Sequence, residues 1–505
     1  MISSSVLLTI IIGYFAILIL ISELTSKKAD SQAFFNAKKQ SSWVMVAIGM
    51  IGASLSGVSF ISIPGVVGAG GTNQAFSWMQ MVLGFLIGYA VIAHVLLPIY
   101  YKYNLTSIYG YLGERFGKMS HKTGAFFFLI SRIIGASFRL YLVAIVFQTI
   151  FADLIPIPFW LIVLLTIILI WVYTFRGGIK TIVVTDVIQT MSMLIAIVLT
   201  IIGISSALEI NLSDIPSTIS GAGLDQWFFF EDGWSDPNNF YKQIVSGAFI
   251  AIVMTGLDQD MMQKNLTCRS LKDAQKNIYL FSGILVIANI LILTMGAMLY
   301  IYANTKGVEI PAKTDQLYPV LAIQHLGPVV AISFTIGIIA AAYSSADSAL
   351  TSLTTSFCVD FLNFETKDRS EAEKKKLRSS VHVGFSLILF IVILVFEGIN
   401  NDAVINGLFT AAGYTYGPIL GLFCFGIFTK RNFPNSTVLL ICVLAPILTY
   451  FLNVNSEYLF GGFKFGFLIV VVNGLITFLG LALISTEVGN KMALAFQKLI
   501  IILSK

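Results

Sequence analysis

The chain predicts an all-α polytopic membrane protein, on three observations. Hydrophobic residues make up 57% of its 505 positions and charged ones only 11%. The mean hydropathy of +0.86 lies outside the soluble globular class. Apolar runs near the roughly 20 residues that a helix needs to cross a bilayer recur along the whole length. Positive charge returns in every second connection between them.

About thirteen spans can be laid down in order, near 5–24, 43–64, 74–101, 118–152, 156–175, 181–208, 241–265, 272–303, 317–358, 376–398, 401–429, 433–452 and 461–485. The first has no positive n-region and no small-residue cleavage site, so it reads as a retained span. The second carries Gly49-Met50-Ile51-Gly52-Ala53-Ser54-Leu55-Ser56-Gly57 where a helix would be weakest, and a break there frees carbonyls. The third holds Gln80, and the fourth holds Arg132 and Arg139, two turns apart on one face. A short basic loop, Arg176 to Lys180, is expected between the fifth and sixth. The seventh repeats the interruption more weakly at Ser246-Gly247 and Thr255-Gly256-Leu257-Asp258. Small residues also serve helix packing, and both readings stay open for each glycine.

The ninth span is the most polar. From Ala341 to Ser348 it reads Ala-Ala-Tyr-Ser-Ser-Ala-Asp-Ser. Ala341, Ser344, Ser345, Ser348 and Ser352 share one stripe at 3.6 residues per turn, with Asp347 at its border. A carboxylate at bilayer depth costs about 2.5 to 3.5 kcal/mol on insertion scales, so the stripe must face protein, water or an ion. Hydroxyl, carbonyl and carboxylate oxygens suit a small hard cation. The competing reading is that these hydroxyls bond back to carbonyls one turn earlier.

Lys27, Lys28, Lys38 and Lys39, then Arg115, Lys118 and Lys122, Arg176 and Lys180, Lys264, Arg269, Lys272 and Lys276, Lys374, Lys375, Lys376 and Arg378, and Lys430 and Arg431 fall on one side. The positive-inside rule then puts the N-terminus outside and the C-terminus inside. The 209–240 connection, with Asp214, Asp225, Glu231, Asp232 and Asp236, falls outside. These loops account for the net charge of +5, so nucleic acid is not an expected partner. Cys268, Cys358, Cys424 and Cys442 show no paired spacing, and His94, His121, His325 and His382 are scattered, which points to neither disulfides nor a zinc site. No nucleophile–base pair or nucleotide loop supports an enzyme.

Tyr173-Thr174-Phe175-Arg176-Gly177-Gly178-Ile179-Lys180 leading into Thr185-Asp186-Val187-Ile188-Gln189-Thr190, Gly52 to Gly57, the serine stripe, and Gly256-Leu257-Asp258-Gln259-Asp260-Met261-Met262-Gln263-Lys264 together resemble the sodium:solute symporter family. The resemblance implies a leucine-transporter-type fold with two inverted five-helix repeats, one extra N-terminal span and two extra C-terminal spans. The divisions would be 1–42, a first repeat at 43–208, the outer loop 209–240, a second repeat at 241–429, extra spans at 430–485 and an amphipathic cytoplasmic tail at 486–505.

By the same resemblance, sodium would be held by the carbonyls of Gly52 (or Ala53, one register step on), Leu55 and Ala341 and the hydroxyls of Ser344 and Ser345. Asp186, Ser344, Asp347 and Ser348 match a second sodium site. Ser54, Ser56, Ser59, Gln80, Arg139 and Asp258 match positions around substrate, with Arg139 as a carboxylate clamp or, alternatively, a structural arginine paired with an acid. Asp258 and Met261 replace the asparagine and tyrosine of the galactose members. The implied activity is sodium-coupled import of a small polar solute, a sugar, an acidic sugar such as sialic acid or another organic anion. A monomer in a bacterial inner membrane would suffice. Proton coupling and proline or monocarboxylate transport are the rivals within the fold, and a channel is the rival outside it.

Overall fold

The computed structural model describes residues 4–26, 37–151, 157–362, 364, 370–399 and 404–486. Among them there is no strand, only an isolated bridge between Ser41 and Cys268. Lys27, Lys28 and the amphipathic tail expected beyond residue 486 lie outside the described residues.

Helix α1 is Ser4–Ser26. The next span is broken, as expected: α2, Trp43–Ser54, gives way at Leu55 and Ser56 to α3, Gly57–Val66, with a bend of 53°. Glycine and serine are weak helix formers, and serine competes for backbone bonds, so the break falls among them. Then come α4, Trp78–Lys102, α5, Lys118–Phe151, and α6, Phe159–Ala207. The second broken span is α7, Phe240–Gly256, and α8, Gln259–Asn265, bent by 68° at Leu257 and Asp258. Helices α9, Leu271–Lys306, α10, Gly327–Ser356, α11, Glu371–Ile399, α12, Val404–Phe428, α13, Val438–Val454, and α14, Ile469–Ile484, complete the bundle.

Among the described residues ten helices are long and apolar enough to cross a membrane, up to twelve if each bent pair counts as one span. One expectation is corrected. Helix continues unbroken through Arg176 to Lys180, where a loop was expected. Two glycines cost a helix about 1 kcal/mol each, less than leaving several backbone groups at bilayer depth unbonded. At 1.5 Å per residue the 49 residues of α6 amount to about 73 Å, over twice the hydrocarbon thickness of roughly 30 Å.

Of the ten unbroken spans the serine helix α10 is the most enclosed, and α6 is its principal partner. Helices α4 and α7 meet backbone to backbone. A Cβ on Gly84 would stand 2.3 Å from the Ile244 carbonyl oxygen, and one on Gly247 2.2 Å from that of Met81. Gly247 is therefore a packing residue, and the break in that span lies ten residues further on.

Candidate functional site

The two breaks differ in how their freed groups are satisfied. At the second, Tyr100 donates its hydroxyl to the Gly256 carbonyl (2.7 Å) and Tyr109 to that of Leu257 (2.9 Å). Asp258 caps α8, accepting from the amides of Asp260 (2.9 Å) and Met261 (3.2 Å). At the first break the ladder ends with the Leu55 amide on the Ile51 carbonyl (2.6 Å) and resumes with Phe60 on Ser56 (3.0 Å). The carbonyls of Gly52 and Leu55 have no amide partner among the described residues. Buried carbonyls are rarely left so, and a cation satisfies them without a donor.

The serine helix faces this break. A Cβ on Gly52 would stand 2.5 Å from Thr190 Oγ1 and 3.0 Å from Ser344 Oγ, so only glycine lets α2 approach α6 and α10 at this point. One turn earlier Gly49 lies against Asp186 in the same way, at 3.0 Å from its Cβ. Ser344, Ser345, Asp347 and Ser348 are all buried. The back-bonding alternative holds for their neighbours: Ser352 bonds to Ala349, Thr354 to Leu350 and Thr355 to Thr351. Of the stripe's serines it holds for Ser352 alone. Ser345 Oγ, Ser348 Oγ and Thr351 Oγ1 are buried with no hydrogen-bond partner among the described residues, and Ser344 Oγ donates 2.6 Å to Asp186 Oδ1. The open carbonyls of the first break thus face a helix that carries buried hydroxyls, with Ser344 nearest Gly52, and oxygens of these kinds suit a small hard cation.

Asp186 has a partner that the sequence reading did not assign. Lys264 Nζ lies 2.7 Å from Asp186 Oδ2, and both side chains are at most 1% exposed. Lys264 was expected among the inner loop charges, and the structure buries it instead. The expected seventh span already reached residue 265, which was the available signal. Asp347 Oδ1 accepts from the Ser348 amide at 2.5 Å.

A cavity opens beside the first break, walled by Ser54, Ser56, Ser59, Arg139, Trp78, Phe409 and others. Arg139 is buried, and its Nε and Nη1 have no hydrogen-bond partner among the described residues. Arg132, two turns away, is the structural arginine of the pair, ion-paired to Asp260. Five fixed donors with no internal acceptor for two nitrogens suit a planar carboxylate. The aromatic walls Trp78, Tyr89 and Phe409 carried no sequence pattern that separates them from packing residues.

Two residues expected at substrate are placed elsewhere. Asp258 is consumed by the α8 cap and by Tyr416, which donates to its Oδ2. Gln80 is buried, but its amide pins the outer connection: Nε2 donates to the Asn238 carbonyl (2.8 Å), and Oε1 accepts from the Phe229 amide (3.0 Å). Neither walls the cavity. At about 1 kcal/mol per hydrogen bond, Gln80→Ala is expected to lower thermal stability by roughly 2 kcal/mol while leaving half-saturating substrate concentration unchanged. Melting curves and uptake kinetics read the two effects separately.

The model of the sodium:solute symporter family matches residues 34–436. The sodium/sialic acid symporter NanT of Aliivibrio fischeri is 26% identical over 460 residues, covering 89% of this chain and 88% of that protein. Sodium-coupled monocarboxylate transporter 1 of Xenopus laevis is 26% identical over 79% of this chain, which spans 63% of its length. A Na+-coupled sialic acid symporter solved in a substrate-bound, outward-open state superimposes with a TM-score of 0.79 at 22% identity, over 94% of this chain and 96% of that one. That likeness shows a shared leucine-transporter-type fold. With the match covering most of its length, the chain belongs to the sodium:solute symporter family, integral membrane transporters coupled to Na+ and not enzymes.

Proposed function

We propose that the chain imports an anionic polar solute with sodium, and that the anion's carboxylate docks on Arg139. The observation that carries this is the buried guanidinium with unpartnered nitrogens on the cavity wall. Ser54, Ser56 and Ser59 on the same wall offer hydroxyls to the hydroxyls of an acidic sugar, which favours sialic acid over a plain monocarboxylate. The relatives named for sialic acid and for monocarboxylates both take carboxylates.

Sodium would be held by the carbonyls of Gly52, Leu55 and Ala341 and the hydroxyls of Ser344 and Ser345, joining α2 to α10. That union steadies the outward-open state, and separating the helices on inward opening releases the ion. Inverted repeats at 43–208 and 241–429 would rock about it, in a bacterial inner membrane. A single chain suffices, because the cavity and the candidate ligands all lie within it.

Proteoliposomes given an inward sodium gradient are expected to accumulate labelled sialic acid, with a proton ionophore having no effect. Uptake that is indifferent to sodium would sink the symport reading. Sodium-driven uptake of neutral hexose but not of sialic acid would sink the anion reading.

A further inference from the structure

We infer that Lys264 is a tethered cation that takes the place of a second sodium ion, so that the chain binds one sodium per cycle. This rests on the proposed sodium site at Gly52 and Ser344. Asp186, Ser344, Asp347 and Ser348 match a second sodium site in sequence, but the residues present do not fit one.

Lys264 Nζ sits 2.7 Å from Asp186 Oδ2, within direct ion-pair distance. The other carboxylate oxygen accepts from Ser344 at 2.6 Å, so both oxygens of Asp186 are engaged. A sodium ion binding to Asp186 must displace the ammonium, and the displaced charge would be left buried without its partner. Among the described residues Lys264 makes no other ion pair. Breaking a buried pair in that way is strongly unfavourable. A tethered ammonium also competes at high effective concentration, whereas the free ion must come from solution.

The tether is held firmly. Lys264 lies on α8, whose start is capped by Asp258 and whose Asp260 is paired with Arg132. Beyond it, Asn265 Oδ1 accepts from Asn277 at 2.6 Å. The chain Lys264–Asp186–Ser344 therefore links the second broken helix to the serine that faces the first, across α6. Ser344 donates its O–H in a hydrogen bond to Asp186 and keeps its lone pairs for the ion at Gly52.

Sodium-22 binding to the purified protein at saturation tests this. The wild type is expected to bind one ion per chain, Lys264→Arg one, and Lys264→Gln two, because the freed carboxylate then joins the unpartnered Ser348 hydroxyl. Two ions on the wild type would overturn the inference, as would a single ion on folded Lys264→Gln. If Lys264→Gln does not fold, the wild-type count decides alone. Binding of no sodium by the wild type would overturn this inference and the proposed symport together, whereas a count of two would overturn this inference and leave symport standing.

Discussion

Replacing Arg139 by alanine is expected to raise the half-saturating concentration of sialic acid by at least about 30-fold, which corresponds to roughly 2 kcal/mol of lost charge-assisted hydrogen bonding. Lysine at 139 should restore only part of this, since a point charge does not reproduce the bidentate fork. The same alanine variant should melt no lower than the wild type. Arg139 Nε and Nη1 are buried without partners, and removing an unpaired buried charge relieves a desolvation cost. An arginine that served structure alone would give the opposite pattern, with a lowered melting temperature and unchanged affinity. Unchanged affinity for the acid would end the clamp reading.

Ser345→Ala is expected to raise the sodium concentration for half-maximal uptake by about tenfold or more, on the order of 1.4 kcal/mol for one lost ligand. Its stability in sodium-free buffer should hardly change, because the hydroxyl has no partner within the protein. Ser344→Ala should lose sodium response and stability together, since it also strips Asp186 Oδ1 of its donor, a loss of about 1 to 3 kcal/mol. Ser352→Ala serves as the control. Its hydroxyl bonds back to Ala349, and sodium dependence should not move. Equal sodium responses in Ser345→Ala and the wild type would remove the serine helix from the ion site.

Much of the architecture was legible because the bilayer imposes a simple rule: apolar runs of fixed length, charged connections between them. The two broken spans were legible for a related reason, since Gly52 to Gly57 and Thr255 to Asp258 bring weak helix formers into an apolar run. The join at Arg176 to Lys180 was misread as a loop. Charge and glycine content describe what a segment tolerates in water, and they do not report whether the backbone ladder closes through it.

The serine stripe, too, was visible as oxygen where lipid should be. Which serines were available was not. Ser352 and Ser345 are alike in sequence terms, and only the neighbours supplied by α2 and α6 separate a back-bonded hydroxyl from an unpartnered one. The two arginines of α5 differ in the same way: Arg132 meets Asp260, far away in sequence, and Arg139 meets the cavity.

Sequence alone thus determined the membrane class, the order of spans, the places where two of them break and the residue types offered to the proposed sodium site. These follow from local composition and periodicity, which the solvent reads one segment at a time. Tertiary structure decided which polar groups were already spent. Gln80 and Asp258 were spent on the outer connection and a helix cap, Lys264 was drawn out of its expected loop onto Asp186, and Arg139 was left open. A hydrogen bond or ion pair is made between elements distant in the chain, so its existence depends on where the bundle brings them together.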